Sequence, residues 1–178
     1  GVQVSKLCMG TMTFGREADK AAAKVIFNRC RDAGINFFDC ANVYSAGRAE
    51  TILGELMSDC RQELVVSSKF GSPMGKGYNN QGGSRRHLMS FLEASLNRLN
   101  SDYIDIYFLH RFDEDTPLEE TLRALDDVVS QGTVRYIGVS NFAAWQIAKA
   151  LGISAANDWT PFHCIQPMYN LIKPQAEV

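Results

Sequence analysis

The sequence contains no apolar run near the ~20 residues that a membrane-spanning helix requires, so membrane insertion is not expected. It has little excess of either charge. Its net charge is −2, with no basic stripe, and nucleic acid is not an expected partner. The five cysteines, at 8, 30, 40, 60 and 164, are odd in number and form no C-x-x-C pair. A disulfide framework and a zinc site are therefore not expected. The cysteines read as small buried apolar residues, and a reducing, cytoplasmic setting is expected. No charged-then-apolar leader precedes Gly1, and since that residue is not Met the sequence is expected to begin inside a longer chain. A P-loop is absent, and Gly10-Thr-Met-Thr-Phe-Gly15 does not match the G-x-G-x-x-G that doubly wound nucleotide-binding folds carry after their first strand.

What is present is an ordinary globular composition, 46% hydrophobic and 21% charged, over 178 residues. A single domain over 1–178 is expected. β-branched and apolar residues give a first strand ending near Thr11. Ala22, Val25, Ile26 and Cys30 then recur at helical spacing, stopped by Gly34. Strands are expected over 35–41, 64–70, 103–110, 134–139 and 162–166. A second helix starts near Ala46 and runs through Leu56. A third, capped by Ser84, runs through Leu99. Thr116-Pro117-Leu118-Glu119 reads as a capping box opening a fourth, which Gly132 stops. A fifth is expected over 142–151, and the first turn of a sixth at Lys173-Pro174-Gln175-Ala176. Residues 71–83, rich in Gly and Asn, form the longest irregular connection and a candidate mobile functional loop. Gly82-Gly83-Ser84 could cradle a phosphate, but a loop-to-cap transition is the stronger reading.

Strict βα alternation implies a parallel sheet with right-handed crossovers. Two architectures fit, an open doubly wound sheet and a (β/α)8 TIM barrel. Polar residues end nearly every strand, which suits the barrel. A full barrel needs about 250 residues, and only about six βα units are present. The chain is therefore expected to continue past Val178, because six strands alone leave two open edges and an unfilled interior.

Alternation along the strands decides which side chains meet. Asp39 shares a face with Phe37, Lys69 with Ser67 and Val65, and His110 with Phe108 and Ile106. If each terminal residue faces the axis, a carboxylate, an ammonium and an imidazole converge on one rim, with Tyr44 in a loop above them. A free phenol titrates near ~10, too high for efficient proton donation at neutral pH. A neighbouring ammonium lowers that value. Asp39 would keep Lys69 charged and aimed, and a neutral His110 would orient a substrate oxygen. Such a group can protonate a carbonyl oxygen as it becomes an alkoxide. No side chain supplies electrons, so a hydride-donating cofactor must. Ser140, Asn141 and Gln166 offer the donors and acceptors that an amide needs. Ser140-Asn141 reads equally as an N-cap of the fifth helix. His87, at a helix start, and His163, opposite Gln166 and so facing the helices, read as structural or exposed.

These residues resemble the aldo-keto reductase family over essentially the whole chain. The similar segments are Gly10-Thr-Met-Thr-Phe-Gly15, Phe38-Asp39-Cys-Ala41 with Tyr44, Ser68-Lys69, Ser101-Asp-Tyr-Ile-Asp105, Ile106-Tyr-Phe-Leu-His110-Arg111, Thr116-Pro117 and Gly138-Val-Ser-Asn141. The flavour is closer to the potassium-channel β-subunit and bacterial reductase branch than to the aldose reductase branch. The resemblance implies NADP(H)-dependent reduction of small-molecule aldehydes or ketones. It implies Tyr44 as general acid/base, Lys69 and Asp39 tuning it, and His110 orienting the carbonyl. It further implies that Ser140, Asn141 and Gln166 hold the nicotinamide carboxamide, and that Thr11, Met12 and Asp39 touch the cofactor. The channel relatives imply an alternative, a cofactor-binding regulatory or scaffold subunit with little turnover.

Overall fold

The computed structural model describes residues 1–174 and 176. Its elements follow in the order β1 (Cys8–Gly10), α1 (Lys20–Asp32), β2 (Phe37–Asp39), a 3-10 turn (Tyr44–Gly47), α2 (Arg48–Leu56), a second 3-10 turn (Arg61–Glu63), β3 (Val65–Phe70), α3 (Arg85–Leu99), β4 (Ile104–Leu109), α4 (Leu118–Ser130), β5 (Val134–Ser140), α5 (Ala144–Ala156) and β6 (Cys164–Gln166). The strands form one sheet in the order β1-β2-β3-β4-β5-β6, and every neighbouring pair is parallel. A doubly wound sheet reverses its strand order at a switch point. This one never reverses, and it curls as part of a TIM barrel. Among the described residues no helix is long and apolar enough to cross a membrane.

Alternation sorts the strand residues into two packing layers. Val65, Ile106 and Phe108, with Phe37, Tyr136 and Cys164, pack on the concave side. Phe38, Val66, Phe70, Tyr107, Leu109, Ile137 and Val139 pack the other way, with Phe27, Leu53, Leu88 and Leu125 of the helices. β3 and β4 are buried along their whole length, as a sheet covered on one side and curled on the other requires. The concave side holds an open apolar cleft of about 350 Å³ among Phe37, Ile106, Phe108, Tyr136 and Cys164.

One concave position must be glycine. A Cβ on Gly138 would lie 2.6 Å from a ring carbon of Phe108 and 2.8 Å from the Cys164 carbonyl oxygen. The Phe108 ring fills the space that a side chain would take. Gly138→Ala is therefore expected to lower stability by about 2 kcal/mol through overpacking. Denaturant unfolding checks this, as a lower midpoint at unchanged slope.

At the amino-terminal ends of the strands, Arg61 ties three segments together. It donates to Ser101 Oγ at 2.9 Å, Leu64 O at 3.1 Å, Tyr103 O at 3.0 Å and Asp105 Oδ2 at 2.7 Å. The same Asp105 oxygen accepts from the Val66 N–H at 2.9 Å. The Tyr103 ring stacks with Arg61, whose Cζ lies 4.0 Å from its centroid, and with Arg135, whose Cζ lies at 4.6 Å.

The structure departs from the sequence expectations at several element ends. Ser84 does cap α3, accepting from the His87 N–H at 3.3 Å. The capping box at Thr116 does not form. Pro117 occupies the cap position of α4, and Thr116 Oγ1 instead donates to Asp113 Oδ2 at 2.6 Å. Asp113 outcompetes the helix end because it gathers several donors, Gly83 N and Asp115 N among them. The Gly83 contact also disfavours a phosphate there, since a carboxylate already faces the glycines. The 71–83 loop is tied at its base by Gly82 N to Gly71 O at 2.9 Å. α5 starts at Ala144 rather than 142, with Ala143 N–H donating to Gln146 Oε1 at 2.8 Å. His163 does not face the helices. It precedes β6, so the strand alternation does not reach it, and its ring meets Tyr136 edge-on at 5.2 Å. The turn expected at 173–176 includes residue 175, which lies outside the described residues.

Candidate active site

The sheet places the four expected residues at its carboxyl end. Asp39 closes β2, Lys69 lies one residue before the end of β3, and His110 directly follows β4. Tyr44 opens the 3-10 turn between β2 and α2. The Lys69 ammonium donates to Asp39 Oδ2 at 2.6 Å, to Cys40 O at 2.8 Å and to Tyr44 Oη at 3.3 Å. Its side chain is only 1% exposed. A buried lysine is tolerated because all three of its protons have acceptors, one of them a carboxylate. The Tyr44 hydroxyl oxygen thus accepts from Lys69, which leaves its own proton to donate elsewhere. The His110 ring stands edge-on to Tyr44, with centroids 6.2 Å apart.

Asp39 is itself held. Ser67 Oγ donates to Asp39 Oδ1 at 2.6 Å, and Thr11 N and Oγ1 each donate to the Asp39 carbonyl at 2.9 Å. Sequence reasoning placed Ser67 on the Lys69 face but gave it no part. The register that pairs Ser67 with Asp39 across two parallel strands was the signal that could have found it.

The electrostatics modify one expectation. The Tyr44 phenol is pushed above its ordinary range, not below it, because burial outweighs the pull of Lys69, and Asp39 adds to the rise. The ammonium and the carboxylate are too close to act separately, so Lys69 presents the phenol with a largely compensated charge. Tyr44 is consequently a protonated acid at neutral pH. His110 is pushed down to about 4, by burial first and then by Lys69 and Arg111, against Asp39. It is a neutral imidazole at pH 7. Its Nδ1 is buried without a hydrogen-bond partner among the described residues.

The His110 shift has a consequence for stability. An unfolded histidine takes its proton near pH 6.5, and the folded one only near 4. Between those values the unfolded chain binds more protons, so stability falls as pH falls through that window. Thermal melts from pH 7 to 4 are expected to show a steeper loss for the wild type than for His110→Asn.

At the neighbouring strand ends, Ser140, Asn141 and Gln166 come together. Ser140 Oγ donates to the Gln166 carbonyl at 2.8 Å, and Asn141 Nδ2 donates to Ser140 Oγ at 3.1 Å and to His110 O at 2.9 Å. The last bond ties this cluster to the acid–base group. Neither Ser140 nor Asn141 caps α5, whose cap position is Ala143. The Gln166 side-chain amide makes no hydrogen bond among the described residues. The Gln166 amide and the Asn141 side-chain oxygen have the chemistry for a carboxamide ligand, which offers the complementary donor and acceptor. Thr11 is fully buried with its hydroxyl engaged by Asp39, whereas Met12 is 57% exposed just past β1.

The model of the aldo/keto reductase family matches residues 6–178. A protein of Oryza sativa subsp. japonica named "Probable voltage-gated potassium channel subunit beta" is 43% identical over 96% of this chain and 53% of its own length. A protein of the same name from Arabidopsis thaliana is 42% identical over 96% of this chain. Norsolorinic acid reductase of Aspergillus flavus is 37% identical over 93% of this chain and 47% of its own length. The chain thus spans about half the length of the curated relatives it matches. With the match covering nearly all of its residues, the chain belongs to the aldo/keto reductase family.

Proposed function

We propose that the protein is an NADP(H)-dependent reductase that converts aldehydes or ketones to alcohols, with Tyr44 as the general acid. The observation that carries this reading is the bonded series Asp39–Lys69–Tyr44, with a neutral imidazole beside the phenol. NADPH, when bound, would supply the hydride that no side chain can. Ser140, Asn141 and Gln166 would hold its carboxamide, with Thr11, Met12 and Asp39 as further contacts.

The protein's own part is proton supply and orientation. A carbonyl oxygen seated against Tyr44 and His110 receives the His110 N–H as a hydrogen bond, which fixes its direction. As negative charge builds on that oxygen, the Tyr44 proton crosses to it. An alkoxide is far more basic than a phenolate, so the transfer is downhill even from a phenol held above its usual range. The phenolate that remains faces Lys69 Nζ, which was already donating to it. Asp39 Oδ2, accepting from that nitrogen at 2.6 Å, keeps it aimed, and Ser67 keeps Asp39 in place. The low-dielectric surroundings strengthen each of these interactions at the moment the charge appears.

A second reading is favoured by the relatives. The two channel β-subunit proteins are more similar to this chain than the norsolorinic acid reductase is. In this reading the protein is a cofactor-binding regulatory or scaffold subunit with little turnover. NADPH oxidation with a panel of aldehydes separates the two. Turnover that depends on the aldehyde supports the reductase, and cofactor binding without turnover supports the scaffold. Parallel titration with NADH tests the preference for the phosphorylated cofactor. A cytoplasmic location and a small-molecule carbonyl partner belong to the same proposal.

A further inference from the structure

A second buried carboxylate lies behind the sheet from Lys69. Glu50, in the first turn of α2, is fully buried. Its Oε1 accepts from Ser68 Oγ, and its Oε2 accepts from Arg98 Nε at 2.7 Å. Arg98 comes from α3, and its Nη2 donates to Ser95 Oγ at 3.2 Å. The Arg98 side chain also runs against the turn that carries Tyr44, since a Cβ on Gly47 would lie 2.9 Å from Arg98 Cδ. Further along α2, a Cβ on Gly54 would lie 2.6 Å from the Leu99 backbone. Two missing side chains therefore let α2 approach α3 until Glu50 and Arg98 meet.

The turn itself is unusual. Ser45, Ala46 and Gly47 follow Tyr44 with φ of 50, 55 and 91°, three left-handed residues in succession, two of which are not glycine. Residues with a Cβ keep that conformation only where the surroundings hold it. Ser45 Oγ, donating to Phe14 O at 2.7 Å, is one such restraint. The Ala46 N–H, donating to Val43 O at 3.1 Å, is another, and the Glu50–Arg98 pair sits on the helix that continues the turn. Ser68 directly precedes Lys69 on β3 and faces the opposite side of the sheet. One carboxylate thus joins the strand that bears the ammonium to the helix whose turn bears the phenol.

We propose that Glu50, through Arg98 and Ser68, is a positioning residue that sets the distance between Tyr44 and Lys69. Its effect on rate rests on the reductase reading, whereas its effect on geometry does not. The groups that face Tyr44 are Lys69, Asp39 and Cys40, with His110 edge-on.

The test follows the Tyr44 phenol directly, by its ring-carbon NMR signal in protein carrying labelled tyrosine, assigned with Tyr44→Phe and titrated against pH. Removing the Glu50 charge alone would lower the midpoint, while retreat of Lys69 would raise it. Glu50→Gln is expected to raise it by about half a pH unit or more, with about a tenfold loss of kcat at unchanged KM for NADPH. Ser68→Ala, which leaves the Glu50–Arg98 pair intact, is expected to raise it by less. Asp127→Asn breaks the ion pair between α3 and α4 at Arg85, away from the site, and is expected to lower the Tm with no change in the midpoint. A fall or no change in Glu50→Gln overturns the proposal. If Glu50→Gln fails to fold, Ser68→Ala decides, and an unmoved midpoint there overturns it. If the wild type shows no turnover with any aldehyde, the reductase reading fails, and the titration still decides the positioning role.

Discussion

Tyr44→Phe is expected to lower kcat by about 10²- to 10⁴-fold while leaving NADPH affinity within about twofold. The change removes one oxygen atom and no packing volume, because the ring of Tyr44 keeps its contacts with the buried core. What is lost is the only proton in the Asp39–Lys69–Tyr44 series that is not already bonded within it. Lys69 would keep two acceptors, Asp39 and the Cys40 carbonyl, so the variant should fold. Ser140, Asn141 and Gln166, expected to hold the carboxamide, lie at the ends of β5 and β6. Steady-state aldehyde reduction and fluorescence titration with NADPH check the two halves separately. A variant with wild-type turnover removes Tyr44 from the chemistry, and one that loses cofactor affinity in proportion to rate assigns it a binding role instead.

Asp105→Ala should be the most damaging single change away from the site, costing about 3–5 kcal/mol of stability. Arg61 and Asp105 are only 10% and 13% exposed in their side chains. Removing the carboxylate leaves a guanidinium in poor solvent and strips the Val66 N–H of its acceptor. Loss of one partner from a buried pair is far worse than loss of both, because the survivor keeps its desolvation cost. The double variant Arg61→Met, Asp105→Ala should therefore recover part of the lost stability. Chemical denaturation of the single and double variants measures this. Additive losses would show that the two side chains act independently.

The sequence was most legible where strand alternation carried the meaning. Asp39, Lys69 and His110 could be placed on one rim from parity alone, because a parallel strand gives each residue only two directions. Element ends were less legible. The Thr116 capping box had the right residue types, but Asp113, three residues earlier, offered a stronger acceptor for that hydroxyl than the helix end did. The direction of the Tyr44 shift was not readable either. The ammonium could be predicted, but the burial that outweighs it depends on how the turn packs. Glu50 was hidden for a similar reason. A glutamate in the first turn of a helix reads as a surface residue favouring the helix dipole, and only the glycines at 47 and 54 hint that this helix face has no room for water. The Ser101-Asp-Tyr-Ile-Asp105 segment supported the family resemblance, yet the structure gives it a task in holding the strands rather than in chemistry.

The complete bonding of Lys69 bears on which side reactions the site can suffer. An amine beside an aldehyde is ordinarily a nucleophile, and attack at the carbonyl carbon would end in a Schiff base that blocks the pocket. Attack requires a lone pair on nitrogen and a free approach. Here the nitrogen is enclosed, and its protons are committed to Asp39, Cys40 and Tyr44. The Cys40 thiol, held up to about 12 by burial, is no better as an adduct former. The same contacts that aim the phenol therefore shield the protein from covalent capture by the compounds it is proposed to reduce.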